Sequence, residues 1–359
     1  MILHLPDSGG RYCLMPMLSA WTEVFASPGS RTSGTRAGDY AIVGSRFHGA
    51  LPAGAHTLRS PTSLAWLIGR TYSDGAPADL AAVHELQDGM SLKPLSAYGA
   101  ASAPPARKID PAIDMVTSPR EQVAAMDATT FFGILAAKML DNPPAPGDAA
   151  VIARIAKLGI HPGCAVDPAK LDPVAALGVA HAPLLGQAEI LIHEQSAGDQ
   201  VNGWLWPKKT GKYGKDYLQR SVIAAVGLGA NLPADAVYPM TKEDSDGQRL
   251  NGKHRYVLHF ASGATPPVKA FWSVTMYDDA MFFVANPLSR YAIHAKDPLT
   301  FNQDGSLDPL IQHDAPNPTA QSSWLPAPEG DFVLMMRMHW PKTPALTGAW
   351  TPPAVARQP

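Results

Sequence analysis

Residues 267–278 read Pro-Val-Lys-Ala-Phe-Trp-Ser-Val-Thr-Met-Tyr-Asp, an aromatic and β-branched run behind the Pro266-Pro267 break. That composition predicts a strand. Successive strand side chains point to opposite faces. Trp272, Val274 and Met276 therefore share an apolar face, and Phe271, Ser273, Thr275 and Tyr277 a mostly polar one. Residues 331–340 split in the same way, with Phe332, Leu334, Met336, Met338 and Trp340 against Val333, Met335, Arg337 and His339. Residues 255–260 set Tyr256, Leu258 and Phe260 against Arg255, Val257 and His259. We expect the three strands to share one sheet. One face would then be continuous core, and the other would gather arginines, histidines, a tyrosine and hydroxyls as a working surface.

The rest of the chain divides by the same criteria. Residues 1–98 carry short apolar runs at 11–17, 40–44, 55–59 and 64–71, separated by Gly- and Pro-rich turns. That spacing predicts an antiparallel β-sandwich. Residues 79–87 have helical spacing through Leu80, Val83, His84 and Leu86. An Ala/Pro/Ser-rich linker follows at 99–117. Ser118-Pro119 with Glu121 opens a helix to 140, stopped by Asn142-Pro143-Pro144, with Val123, Met126, Phe131, Ile134 and Leu135 on its buried side. Further helices are expected at 147–157, 168–181, 184–195 and 214–228, and strands return from about Tyr238. The predicted fold class is mainly β with a helical middle (α+β). Its parts are a β-sandwich over 1–98, a linker and helical region over 99–230, and a jelly-roll-like β domain over 231–359.

Composition narrows the function classes. A chain of 359 residues suits two or three domains. The net charge of −2 gives no electrostatic case for nucleic acid or an anionic membrane. No apolar run approaches the ~20 residues of a membrane span. Cys13 and Cys164 read as two unpaired core thiols. The opening Met1-Ile2-Leu3-His4-Leu5-Pro6-Asp7 lacks the basic and apolar regions of a signal peptide and starts in mid-strand. A truncated start, with an upstream native segment able to direct export, is the corresponding expectation. The compartment is left open.

Two sets of residues carry a family resemblance. Leu5-Pro6-Asp7 with Gly10-Arg11-Tyr12, Trp21-Thr22 with Phe25-Ala26-Ser27-Pro28-Gly29, and Gly69-Arg70-Thr71 resemble the C-terminal two thirds of domain-of-unknown-function family 1254. Phe271 to Asp278, Asn286 with Arg290-Tyr291, Asp304-Gly305-Ser306-Leu307, Trp324-Leu325-Pro326-Ala327-Pro328 and Trp350 with Pro352-Pro353 resemble its usual partner, family 1214. The bridging Gly211, Tyr213-Gly214, Asp216-Tyr217 and Arg220 also fit. The resemblance implies a β-sandwich, a helical middle and a jelly-roll-like C-terminal domain. The N-terminal part of family 1254, with its Asn-x-Asp-Thr-x-Tyr motif, has no counterpart here. The resemblance implies no settled activity.

Candidate chemistry rests on side-chain type. Arg337 would orient an anionic or carbonyl oxygen, His339 or His259 would act as base, and Tyr277 as acid or hydrogen-bond donor. Arg290, Tyr291, Ser273, Thr275, Trp324 and Tyr213 would contact substrate. Arg337 needs an acceptor on a strand, and Asp278 and Asp331 are the candidates. The leading expectation is a small-molecule enzyme, a hydrolase of an ester or amide with its pocket between domains. The alternatives are a non-catalytic carbohydrate or small-ligand binding protein and a structural subunit of a homo-oligomeric assembly. A Ser273–His339–Asp278 triad lacks the Gly-x-Ser-x-Gly elbow. No cofactor is expected; a divalent metal on His259, His339 and Asp278 is the lesser alternative. Gly227-Leu228-Gly229 reads as a helix end rather than a phosphate loop. Asp216 and Arg220 are spaced for a local ion pair.

Overall fold

The computed structural model describes residues 1–101, 103, 106 and 110–359. Part of the expected linker (102, 104–105 and 107–109) lies outside the described residues. Helix (26%) and strand (24%) are nearly equal, with antiparallel sheets and a central helical region, so the fold is α+β. The chain forms two compact units: Met1–His193 with Lys212–Gly229, and Glu194–Gly211 with Ala230–Pro359.

In the first unit, four strands pair in the order His56–Ser60, Gly38–Gly44, Ile2–Leu5, Ser91–Lys93. The outer pair of Gly38–Gly44 and His56–Ser60 runs parallel, against the all-antiparallel expectation. Met17–Ser19 forms a smaller sheet with Val24–Ala26 and Ala65–Leu67. Leu3, Leu5, Met15, Met17 and Tyr40 make one of its cores. The Arg11 guanidinium lies 2.7 Å from the Asp79 carboxylate, which also accepts from Ser73 Oγ at 2.8 Å and the Asp74 N–H at 2.9 Å. The Arg11 hydrogen bond, then the donors of Asp74 and Ser73, hold the Asp79 carboxyl well below the usual carboxylate range. A depressed carboxyl stabilises the fold above its unfolded value of about 3.9, and that contribution is lost as pH falls through the folded value. Asp79→Asn should therefore lower Tm at neutral pH, and its gap from wild type should narrow below about pH 4, as read by thermal melts.

The helical segments depart from the sequence reading in three places. The helix expected over 119–140 is two helices, Pro119–Ala124 and Ala128–Asp141. The Ser118 capping box forms as expected, and Asp127 then caps a new start by accepting from the Thr130 N–H at 2.7 Å. This restart turns the inner face, so Ala128, Ala136 and Met139 are buried while Val123, Phe131 and Ile134 are exposed. The pieces expected at 168–181 and 184–195 are one 22-residue helix, Pro173–Glu194, with Pro183 inside. By length and composition alone that helix is long and apolar enough to cross a membrane, contrary to the sequence expectation. One such helix is weak evidence for a span. Cys13 is buried, but Cys164 is exposed, because its turn after Gly163 leaves the thiol outside the core.

The second unit is built around the strand Val268–Tyr277, the aromatic and β-branched run behind Pro266-Pro267. Val268–Tyr277 pairs antiparallel with Val333–Pro341, and Ala292–His294, Met240–Thr241, Trp204–Trp206 and Asp199–Val201 extend the sheet. A second sheet orders Trp324–Pro326, Leu310–Gln312, Tyr256–Leu258 and Val355–Arg357. The apolar faces meet in one core. Trp272, Val274, Met276, Phe332, Leu334, Met336 and Met338 come from the first sheet, and Tyr256, Leu258, Ile311, Leu325 and Val355 from the second. Trp340 leaves this pattern, because its φ of 52° turns it out of strand geometry, and the Lys269 ammonium sits over its ring. Trp350 packs on the core and donates its indole N–H to the Ala264 carbonyl at 2.9 Å.

Candidate functional site

The register sets the polar face. Phe271 lies opposite His339, Ser273 opposite Arg337, Thr275 opposite Met335 and Tyr277 opposite Val333. Opposed residues in a ladder share a face, so Ser273, Thr275, Tyr277, Arg337 and His339 are brought together. The face is not open: Ser273, Thr275, Tyr277 and His339 are buried and Arg337 is half-buried.

Arg337 reaches diagonally over this face and donates a hydrogen bond from Nη2 to the Tyr277 hydroxyl. Its guanidinium carbon lies 5.8 Å from the Tyr277 ring centroid. Its Nε–H is buried and has no hydrogen-bond partner among the described residues. Neither expected acceptor serves it. Asp278 instead holds its own loop, accepting from the Ala280 and Phe282 N–H groups at 2.9 Å each. Asp331 takes the Asn251 amide at 2.6 Å and lies 3.8 Å from Arg249 Nε. Among the described residues no carboxylate pairs with Arg337. A shielded cation with an unused donor costs free energy unless an acceptor is supplied.

An aromatic stack stands beside it. The Phe283 ring lies between Tyr277, at 5.3 Å and 19°, and Tyr291, at 5.1 Å and 26°. Phe283 was missed by the sequence reading. The available signal was Met281-Phe282-Phe283, a bulky apolar run directly after the strand-ending Asp278-Asp279. These residues are exposed, and the segment is bounded by Met281 and Ser289 at φ values of 65° and 47°. Positive φ in non-glycine residues is uncommon and carries local strain.

Other expected members lie elsewhere or are otherwise engaged. His259 follows Tyr256–Leu258 in the second sheet, exposed and 2.7 Å from Asp308, because its strand pairs with Leu310–Gln312 and Val355–Arg357 rather than with Val333–Pro341. Trp324 is core, its indole donating to the Gln312 carbonyl at 2.9 Å. Arg290 donates to the carbonyls of Gln321 and Trp324 at 2.6 and 3.0 Å, which ties the loop to that strand. Tyr213 belongs to the first unit. There Asp216 caps Tyr217–Val226, and Arg220 pairs with Glu23 at 3.0 Å instead of with Asp216.

His339 stacks on Phe271 at 4.3 Å and meets Tyr238 edge-on at 5.9 Å. Asp278 follows Tyr277, which lies opposite Val333, whereas His339 lies opposite Phe271 far along the same ladder, so the Ser273–His339–Asp278 triad is not assembled. The His259–His339–Asp278 ligand set is likewise not assembled, since the two histidines lie in different sheets. No group of three His, Cys, Asp or Glu side chains suited to a metal occurs among the described residues.

Residues 1–94 match the family model described as protein of unknown function DUF1254, and residues 235–343 that of protein of unknown function DUF1214. The two matches fall in the N- and C-terminal positions that the resemblance implied. Among solved structures it is similar to the VPA0106 protein from Vibrio parahaemolyticus, at 22% identity and a TM-score of 0.73, over 100% of this chain and 85% of that one. At that identity the likeness shows the fold alone. A putative uncharacterized protein from Burkholderia cenocepacia matches at 11% identity and a TM-score of 0.43, covering 99% of this chain and 71% of that one. No curated protein matches the chain.

Proposed function

We propose that the C-terminal unit, which we read as a jelly-roll-like sandwich, binds a small organic anion bearing a flat apolar group. The observation that carries this reading is Arg337, a half-buried guanidinium with no carboxylate partner and an unpartnered Nε–H among the described residues, placed at the end of an aromatic stack. The Nε–H and a terminal N–H of guanidinium suit a carboxylate in bidentate fashion. The Tyr277 hydroxyl adds a donor. Phe283 occupies the space between Tyr277 and Tyr291 that the flat group would take. Titration calorimetry with benzoate, phenylacetate and neutral benzamide tests this. The acids should bind and benzamide should not. Phe283→Ala should tighten binding by emptying the slot, and binding unaffected by both acid identity and Phe283→Ala would remove the reading.

A hydrolase is the second reading, favoured by the register that puts Ser273 opposite Arg337 and two residues from the His339 pair. Arg337 and Tyr277 would then face the oxyanion of an ester. Turnover of a nitrophenyl ester lost in Ser273→Ala at unchanged Tm would support it. Equal turnover by the variant would exclude Ser273.

A further inference from the structure

The helix Pro173–Glu194 has two opposed apolar faces, and the fold uses one. Val179 points into a core with Ala136, Met139 and Ile160. At about 100° per residue, Val174, Leu177, Leu184, Leu185, Leu191 and Ile192 fall on the far side. All six are 52–80% exposed. His181 and Ala188 complete that stripe, and no Asp, Glu, Lys or Arg interrupts it. Monomeric proteins seldom leave so continuous an apolar strip in water.

We propose that this stripe is where a second copy of the chain docks, the two Pro173–Glu194 helices packing antiparallel about a two-fold axis near residues 182–183. Three observations select this occupant. Leu177, Leu184 and Leu191 recur at every seventh position, each three residues after Val174, His181 and Ala188 in turn. That is the seam spacing of helix-on-helix packing rather than of burial in a globular core. Antiparallel pairing about that axis sets Leu177 against Ala188 and Leu191 against Val174, so large side chains meet smaller ones there, and His181 against Leu184. The six exposed side chains would bury roughly 600 Å2 per copy, about 1,200 Å2 in all, which is the lower end of specific interfaces.

A lipid surface fits less well. The helix contains no Lys or Arg to meet headgroups, its charged residues are Glu189 and Glu194, and Val179 anchors its inner face.

Sedimentation velocity on the full chain from about 1 to 100 µM should show a concentration-dependent dimer. Leu184→Glu should weaken it ~100-fold, while Phe282→Glu on the other unit should leave it unchanged. Because Leu184 is exposed in the single chain, the circular dichroism spectrum of the variant should match wild type. Leu184→Cys in a Cys164→Ser background should cross-link to dimer with a short bismaleimide. A wild-type chain monomeric throughout overturns the proposal, as does a dimer indifferent to Leu184→Glu. So does flotation of a monomeric wild type with phosphatidylcholine vesicles that Leu184→Glu abolishes, which would assign the stripe to lipid.

Discussion

Arg337→Met should abolish tight binding of aromatic carboxylates while leaving Tm unchanged or raised. The two effects have opposite signs for one reason. Among the described residues half-buried Arg337 bonds the Tyr277 hydroxyl and no carboxylate, and its buried Nε–H has no partner. A structural arginine leaves its acceptor stranded when removed, costing roughly 3–5 kcal/mol for a buried pair. Here no carboxylate would be stranded, and methionine fills the volume with apolar atoms. A ligand carboxylate, however, would lose a charge-assisted bond worth about 1.5–3 kcal/mol, or roughly 10–150-fold in affinity. Paired calorimetry and thermal melts read both quantities. A large fall in Tm with unaltered binding would make Arg337 a scaffold residue and sink the site. Tyr277→Phe should weaken binding more mildly, since it removes one neutral donor and keeps the ring that stacks on Phe283.

Gly252→Ala should be among the most damaging single changes in the C-terminal unit. A Cβ at that position would sit 1.6 Å from the Pro328 carbonyl oxygen, a backbone atom that cannot rotate away. The Gly252 N–H donates to Gly330 at 2.9 Å, and Asn251 bridges to Asp331, immediately before the strand that carries Arg337. Backbone displacement on this scale costs about 3 kcal/mol or more, which corresponds to a fall of roughly 6–12 °C in Tm for a unit of this size. Because the contact sits at the head of Val333–Pro341, any surviving fold should also bind aromatic acids more weakly. Differential scanning calorimetry with ligand titration checks both. A Tm within about 2 °C of wild type would mean the loop shifts without resistance.

Much of the C-terminal unit was legible residue by residue. Trp272, Val274 and Met276, with Phe332, Leu334, Met336 and Met338, were placed on core faces by alternation, and all are buried. Tyr256, Leu258 and Phe260 were placed on a core face with equal success. The same argument set His259 on the outward face, but its strand joins the second sheet rather than the one expected. The Asp127 cap was visible as a residue type but not as a break, because Pro119 to Leu140 is helix-compatible throughout. Pro183 misled in the opposite sense. It reads as a breaker at ~3 kcal/mol, yet the packed helix carries it.

Local chemistry determined which side chains share a face, where Ser118 starts a helix, and which families the chain resembles. These follow from periods of 2 and 3.6 residues and from caps that act within one turn. Tertiary structure alone decided that Arg337 meets Tyr277, 60 residues away, that Phe283 slots between two tyrosines, and that Asp331 is claimed by Asn251 and Arg249. Those pairings depend on strand register and loop closure, which are set by the summed burial of many distant residues and leave no mark at any single position.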